Sequence, residues 1–368
     1  MSKPRKILIS GGGTGGHIYP ALAIAQEYKR RYPDSHFLFV GAIGRMEMEK
    51  VPVEGFAIKG LWISGIDRSL TLRNLIFPVK LIFALIKSFF IIRTFKPNVV
   101  IGTGGFASGP ILWVASRLKI PTLIQEQNSF PGITNKLLSS KVDRICVAYD
   151  RLDRFFPEHK IRLTGNPIRK EIGGSQSTLE EALAYFNLSA EKPVALVLGG
   201  SLGARAINDY IRENLRWFED NEVQLIWQTG KLYYEQCAKK ANTLGYGGVR
   251  VFAFISKMDL AYKIADVAIS RAGASTVSEM CVARLPVILV PSPNVSEDHQ
   301  TKNALALVDK EAAILVKEAE LPLRLFPALK DVVTNVDKRE AMKINIGALA
   351  EANAAALIVN HIEEIIKE

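Results

Sequence analysis

Apolar positions in this chain fall into short runs separated by glycine or polar turns, and the runs alternate with helical patterns. The first unit sets the plan: Ile7, Leu8 and Ile9 form an aliphatic run, Gly11 to Gly16 hold five glycines, and Ala21, Leu22, Ala25 and Tyr28 share one helical face. A short, continuously apolar run predicts a strand buried in a parallel sheet, and the 3.6-residue spacing after it predicts a helix packed on that sheet. Strands are predicted in the same way within Phe37–Gly44, Asn98–Pro110, Pro121–Gly132 and Asp143–Tyr149. The segment Ile161–Ile172 then runs into GGSQS, which has no apolar periodicity, and the plan restarts at Pro193–Gly200 with SLGARAIND behind it. Further strands are expected at Val223–Gly230, Val249–Ile255, Val267–Ser270 and Pro286–Pro293, and a last helix over roughly Ile344 to Ile366. Alternating strands and helices predict an α/β fold of two Rossmann-like, doubly wound parallel-sheet domains facing across a cleft. Their expected limits are 1–168 with a returning C-terminal helix at 348–368, and 169–347.

The segment Leu72–Lys96 stands apart because it is apolar around most of its circumference. Pro78, Lys80 and Lys87 interrupt it, which argues against a membrane span. Arg73, Lys80 and Lys87 recur every seven residues and so share one helical stripe. Two readings stay open: a helix lying in a membrane interface, or a core helix whose lysines snorkel to solvent.

Composition narrows the class. With 368 residues, 48% hydrophobic and 8% aromatic, the chain can fill two cores. The balance of 47 basic against 37 acidic residues gives +10, which suits an anionic partner. The charges are dispersed without a long basic run, so no nucleic-acid partner is expected. Cys146, Cys237 and Cys281 are too few and scattered for a disulfide framework or metal cage, which points to a reducing cytosol. MSKPRK runs directly into the first strand and leaves no room for a signal peptide.

Candidate chemistry gathers at the glycine turns. Gly11-x-Gly13-x-x-Gly16 fits a dinucleotide fingerprint, but the strand Phe37–Gly44 ends without the acid that a ribose would need. A P-loop would need Lys and Ser or Thr where His17 and Ile18 stand. The remaining readings are an anion cradle built from backbone amides and a helix end, or a tight turn without a ligand. His17 stands at the N-terminal end of the helix, where the dipole disfavours the imidazolium. A neutral imidazole there could take a proton from a sugar hydroxyl, or it could simply close the turn.

In RAGASTVSE, Ser275, Thr276 and Ser278 supply hydroxyls and amides for a diphosphate, and Glu279 a carboxylate for a ribose diol; ordinary N-capping is the alternative. Asp298, His299, Gln300 and Asn303 make a polar cluster before another helix. No His or Cys partners His299 at ligand spacing and no D-x-D pair occurs, so no metal is expected. A diphosphate leaving group would then depend on helix ends and on cations such as Arg169.

GGGTGGHIYPALAIA, GRMEMEKVP, VVIGTGGFASGP, EQN, GNPIR, GGSLGAR, GASTVSE and DHQTKNA occur in that order up to about residue 304, and in this the chain resembles the MurG family. These are hexosyltransferases that pass N-acetylglucosamine from UDP-N-acetylglucosamine to lipid I in peptidoglycan synthesis. The resemblance implies a GT-B fold, inversion at the anomeric carbon and no bound cofactor. It implies an acceptor and membrane-associating domain at 1–168 with 348–368, and a donor domain at 169–347. Donor contacts would come from Thr14, Gly15, Gly16, Asn128, Arg169, Ser201, Ile255, Ala274, Ser275, Thr276, Val277, Ser278, Glu279 and Gln300. Gly12, Gly13, Gly104 and Gly105 would meet the acceptor pyrophosphate, and His17 would be the base. Ile76, Phe77, Phe83 and Leu85 would contact an anionic membrane surface at the cytoplasmic face of the bacterial inner membrane. Two positions depart from the family: Gln125 stands where it often has His, and Leu202 where it often has Gln. The competing readings are another GT-B enzyme, such as a glycolipid glucosyltransferase or a UDP-N-acetylglucosamine 2-epimerase, and a basic peripheral binding protein without catalysis.

Overall fold

The computed structural model describes residues 4–65, 75–174, 176–200 and 203–367. It divides into two compact units, one of residues 1–168 with 351–368 and one of 169–350.

In the first unit, strands β1 (Lys6–Ser10), β2 (His36–Ala42), β3 (Ile58–Leu61), β4 (Val99–Gly102), β5 (Thr122–Glu126), β6 (Arg144–Val147) and β7 (Ile161–Leu163) form one parallel sheet. Their spatial order is β3-β2-β1-β4-β5-β6-β7. Successive side chains of a strand point to opposite faces, so each strand feeds two cores. Ile7 and Ile9, with Val99 and Ile101, bury against the helices Gly15–Arg31 and Ala354–Lys367. Leu8 and Val100 face the other way, towards the helices Phe77–Phe95 and Ser108–Arg117. The C-terminal helix is fixed here by more than apolar contact. The buried Glu363 carboxylate accepts hydrogen bonds from the Tyr28 hydroxyl and the Arg5 guanidinium.

In the second unit, β8 (Val194–Leu198), β9 (Gln224–Gln228), β10 (Val249–Phe252), β11 (Val267–Ser270), β12 (Val287–Leu289) and β13 (Ala313–Leu315) are parallel in the order β10-β9-β8-β11-β12-β13. Trp227, fully buried, anchors one face, and its indole N–H donates to Asn208 at 3.0 Å.

One expectation needs correction, and some edge strands went unpredicted. The single helix expected over Ile344–Ile366 is two, Val336–Gly347 and Ala354–Lys367. Tight turns at Leu349 and Ala350 leave the first helix, and the Glu351 carboxylate takes the Asn353 N–H before the next begins. The edge strands β3, β7 and β13 were not predicted; at three or four residues each, they are too short to show a period. Pro78 lies in the first turn of the helix Phe77–Phe95, where a missing N–H costs nothing.

Candidate functional site

In each unit the strand order reverses beside the first strand, so the carboxyl ends of β1 and β4, and of β8 and β11, are where a ligand crevice is expected. The first of these is built from two glycine turns in contact. Gly104 and Gly105 have φ of +101° and +84°, which a side chain rarely adopts. A Cβ on Gly105 would lie 2.3 Å from the Gly12 carbonyl, and one on Gly104 would lie 2.7 Å from His17 Nδ1. The glycines are therefore needed for one backbone to pass over the other and over the imidazole.

Half-buried His17 lies in the first turn of the helix Gly15–Arg31. Its carbonyl accepts from Thr103 Oγ1 at 2.8 Å, and its Nδ1 lies 2.9 Å from Gln127 Oε1. Thr14 is the N-cap, extended and without a capping bond from its side chain. The amides of Thr14, Gly15 and Gly16 head this helix, where the dipole favours an anion.

Two buried carboxylates shape the surrounding loops. Glu47 accepts from the N–H of Gly13 at 3.0 Å and from that of Ala42 at 2.9 Å. The Gly13 N–H is thus committed to a fixed negative charge within the fold. Glu126 accepts from the N–H and side-chain amide of Asn128, the N–H of Gly132 and the side-chain amide of Asn135. Asn128 is thus held by its own loop. Gln125 is buried and donates to Asn166 at 3.0 Å.

At the reversal in the second unit, β11 leads into the helix Ala274–Ala283, with Gly273 as its N-cap. Ala274 and Val277 bury into the core, Thr276 and Ser278 stay half-exposed, and Ser275 Oγ is buried without a hydrogen-bond partner among the described residues. Glu279 is a buried residue of this helix. At 7% exposure it takes a bidentate pair from Arg169, with Nε and Nη2 both at 3.0 Å, and a hydrogen bond from the Tyr262 hydroxyl at 3.0 Å. Burial, then the adjacent Glu279 charge, raises the Tyr262 hydroxyl well above its ordinary range, so it remains a donor. Three of about four acceptor positions on Glu279 are filled, and a ribose diol would need two. Ile255 is buried and its N–H donates to Gln228 Oε1 at 2.9 Å, so that amide is spent within the fold. Gln300 Oε1 accepts from the Ser292 N–H at 2.9 Å, which leaves its amide nitrogen for other partners. Ser201 and Leu202 lie outside the described residues.

The helix Phe77–Phe95 buries Ala84, Ser88, Ile91 and Ile92 and exposes Ile82, Phe83, Ile86 and Phe90, the last at 62%. Ile76 is exposed, whereas Phe77 and Leu85 are half-buried and Leu85 packs on the core. Phe89, Trp113 and Leu118 line an open groove of about 630 Å³ on the same face, with the Arg117 guanidinium 5.2 Å over the Trp113 ring. Of the basic stripe, Lys80 donates to Ser64 at 3.0 Å and Lys87 is exposed, while Arg73 lies outside the described residues. Among the described residues no helix is long and apolar enough to cross a membrane.

Sequence reasoning did not single out Gln127, Glu47, Glu126, Tyr262 or Gln228. The first three lie within the EQN and GRMEMEKVP motifs, so the motifs marked the place without giving the roles. Nothing local marks Tyr262 or Gln228, whose partners are 17 and 27 residues away.

Residues 7–147 match the glycosyltransferase family 28 N-terminal domain, and residues 194–360 match the family's C-terminal domain. The chain is 52% identical to a UDP-N-acetylglucosamine–N-acetylmuramyl-(pentapeptide) pyrophosphoryl-undecaprenol N-acetylglucosamine transferase of Christiangramia forsetii, covering 100% of this chain and 99% of that one. It is also 52% identical to the protein of that name from Flavobacterium psychrophilum, over 98% of each. The crystal structure of Acinetobacter baumannii MurG aligns with a TM-score of 0.77 at 29% identity, covering 98% of this chain and 100% of that one. With both of its domains matched and near-full-length relatives at this identity, the chain belongs to glycosyltransferase family 28.

Proposed function

We propose that this protein transfers N-acetylglucosamine from UDP-N-acetylglucosamine to the 4-hydroxyl of the lipid-linked N-acetylmuramoyl-pentapeptide, making lipid II for peptidoglycan. The observation that carries this reading is the histidine held at the head of a glycine-rich helix start, in a chain whose relatives of that name match it from end to end. His17 Nε2 removes the proton of the attacking hydroxyl. The acceptor O4 bonds to the anomeric carbon as the bond from that carbon to the diphosphate breaks, with inversion, and UDP departs with the electron pair.

The first unit binds the acceptor, and its pyrophosphate lies at the amides of Thr14, Gly15 and Gly16 and beside Gly104 and Gly105. The second unit binds UDP. The head of the helix Ala274–Ala283, with Ser275 and Thr276, takes the diphosphate, and Glu279 takes the ribose. Glu279 already accepts three hydrogen bonds, two from Arg169 and one from Tyr262, so a ribose diol displaces at least one of them; Arg169, beside that carboxylate, offsets the departing charge. The exposed face of the helix Phe77–Phe95 rests on an anionic membrane surface at the cytoplasmic side. Its aromatic side chains dip below the head groups, and Lys87 and Arg117 stay among them.

Release of UDP by the purified chain tests the reading against its competitors. It requires lipid I, and the acceptor gains one N-acetylhexosamine in mass. Consumption of UDP-N-acetylglucosamine without acceptor would favour an epimerase, and indifference to UDP a non-catalytic binding protein.

A further inference from the structure

We infer that Gln127 is a positioning residue that fixes His17 as the Nδ1–H tautomer and so presents Nε2 as the proton acceptor. The inference rests on the reading of His17 as the base, but its geometry stands independently. An amide side chain has one donating and one accepting end, and the surroundings decide which points where. Around Gln127, Nε2 lies 2.7 Å from the Thr103 carbonyl and 3.1 Å from the Gln125 carbonyl. Backbone carbonyls only accept, so the end facing them is the NH2 group. The opposite end, 2.9 Å from His17 Nδ1, is then the oxygen, and it needs a donor. His17 Nδ1 must carry the proton.

Neighbouring groups keep the ring in place. Thr103 donates to the His17 carbonyl, Gly104 passes under the ring with no room for a side chain, and the Gln127 carbonyl accepts from the Asn166 side-chain amide at 3.0 Å. Among the described residues no protein group hydrogen-bonds to His17 Nε2. Which ring nitrogen holds the proton is set by the hydrogen bond that the other one makes, and the wrong tautomer presents an N–H where a base is needed.

The test uses the full chain labelled with 15N-histidine, with long-range proton–nitrogen correlation at about pH 9, where an imidazole is neutral. The His17 signal among the five histidines is assigned by its loss in His17→Asn. The expected result is a pure Nδ1–H tautomer in the native chain. In Gln127→Ala, and in Gln127→Met (which keeps the volume), a mixture of tautomers should appear with kcat for transfer reduced at least roughly tenfold and donor KM within about twofold. An Nε2–H tautomer in the native chain would overturn the inference. So would a Gln127→Met protein that keeps both the Nδ1–H form and full kcat. The tautomer is read without turnover. A His17→Ala variant that still transfers at the native rate would therefore sink the base assignment and leave the tautomer result standing.

Discussion

His17, Glu47 and Glu279 show how single polar groups are placed before any substrate arrives. Each is held by partners within the fold: Gln127 on the imidazole, Gly13 and Ala42 on one carboxylate, Arg169 and Tyr262 on the other. Buried thiols add a testable pH dependence. Burial pushes Cys146 and Cys281 each from 9.0 to about 12. An unfolded chain ionises these thiols above pH 9 while the folded chain keeps them protonated, so the unfolded state binds fewer protons there. Their contribution is complete below pH 9 and is lost as pH rises from 9 towards 12. Thermal melts should show Tm falling across that range. The Cys146→Ala/Cys281→Ala double variant should start lower at pH 8 through its cavities but fall less steeply. An unchanged slope would contradict this.

The helix Phe77–Phe95 has one buried face and one exposed, apolar face. Ala84, Ser88 and Ile91 at helical spacing are buried on the side that packs on the helix Ser108–Arg117, and Phe83 and Phe90 are exposed. Phe83→Glu should therefore weaken binding to anionic vesicles at least several-fold, by sedimentation, and leave turnover of a soluble acceptor analogue within about twofold, because a charge there costs membrane affinity without entering a core. Equal loss of both would make the helix a structural one. The same element shows what could be read from sequence. The apolar run and its lysines announced an unusual helix, yet which residues face the interior follows from packing, and Leu85, expected at a membrane, lies half-buried on the core. The strands with central, fully apolar runs were legible for the same reason that they are central. The three- and four-residue edge strands were not. Motifs located the histidine and the two helix heads, whereas Gln127 took on a role only once β5 and the turn after β4 lay side by side.

At the scale of the molecule, one plan is used twice, each unit winding its sheet outward from the first strand and leaving glycine turns at the reversal. The excess of ten positive charges suits a protein whose proposed partners are a nucleotide diphosphate, a lipid diphosphate and an acidic surface. The C-terminal helix belongs to the first unit, bound through Glu363. The central step of the proposed reaction is the proton transfer to His17 at the first glycine turn. The most direct measurement of it is the rate of lipid II formation by His17→Ala with both substrates saturating. The account predicts a fall in kcat of at least about a hundredfold with donor KM nearly unchanged, the signature of a lost general base. A variant that turns over at close to the native rate would contradict it.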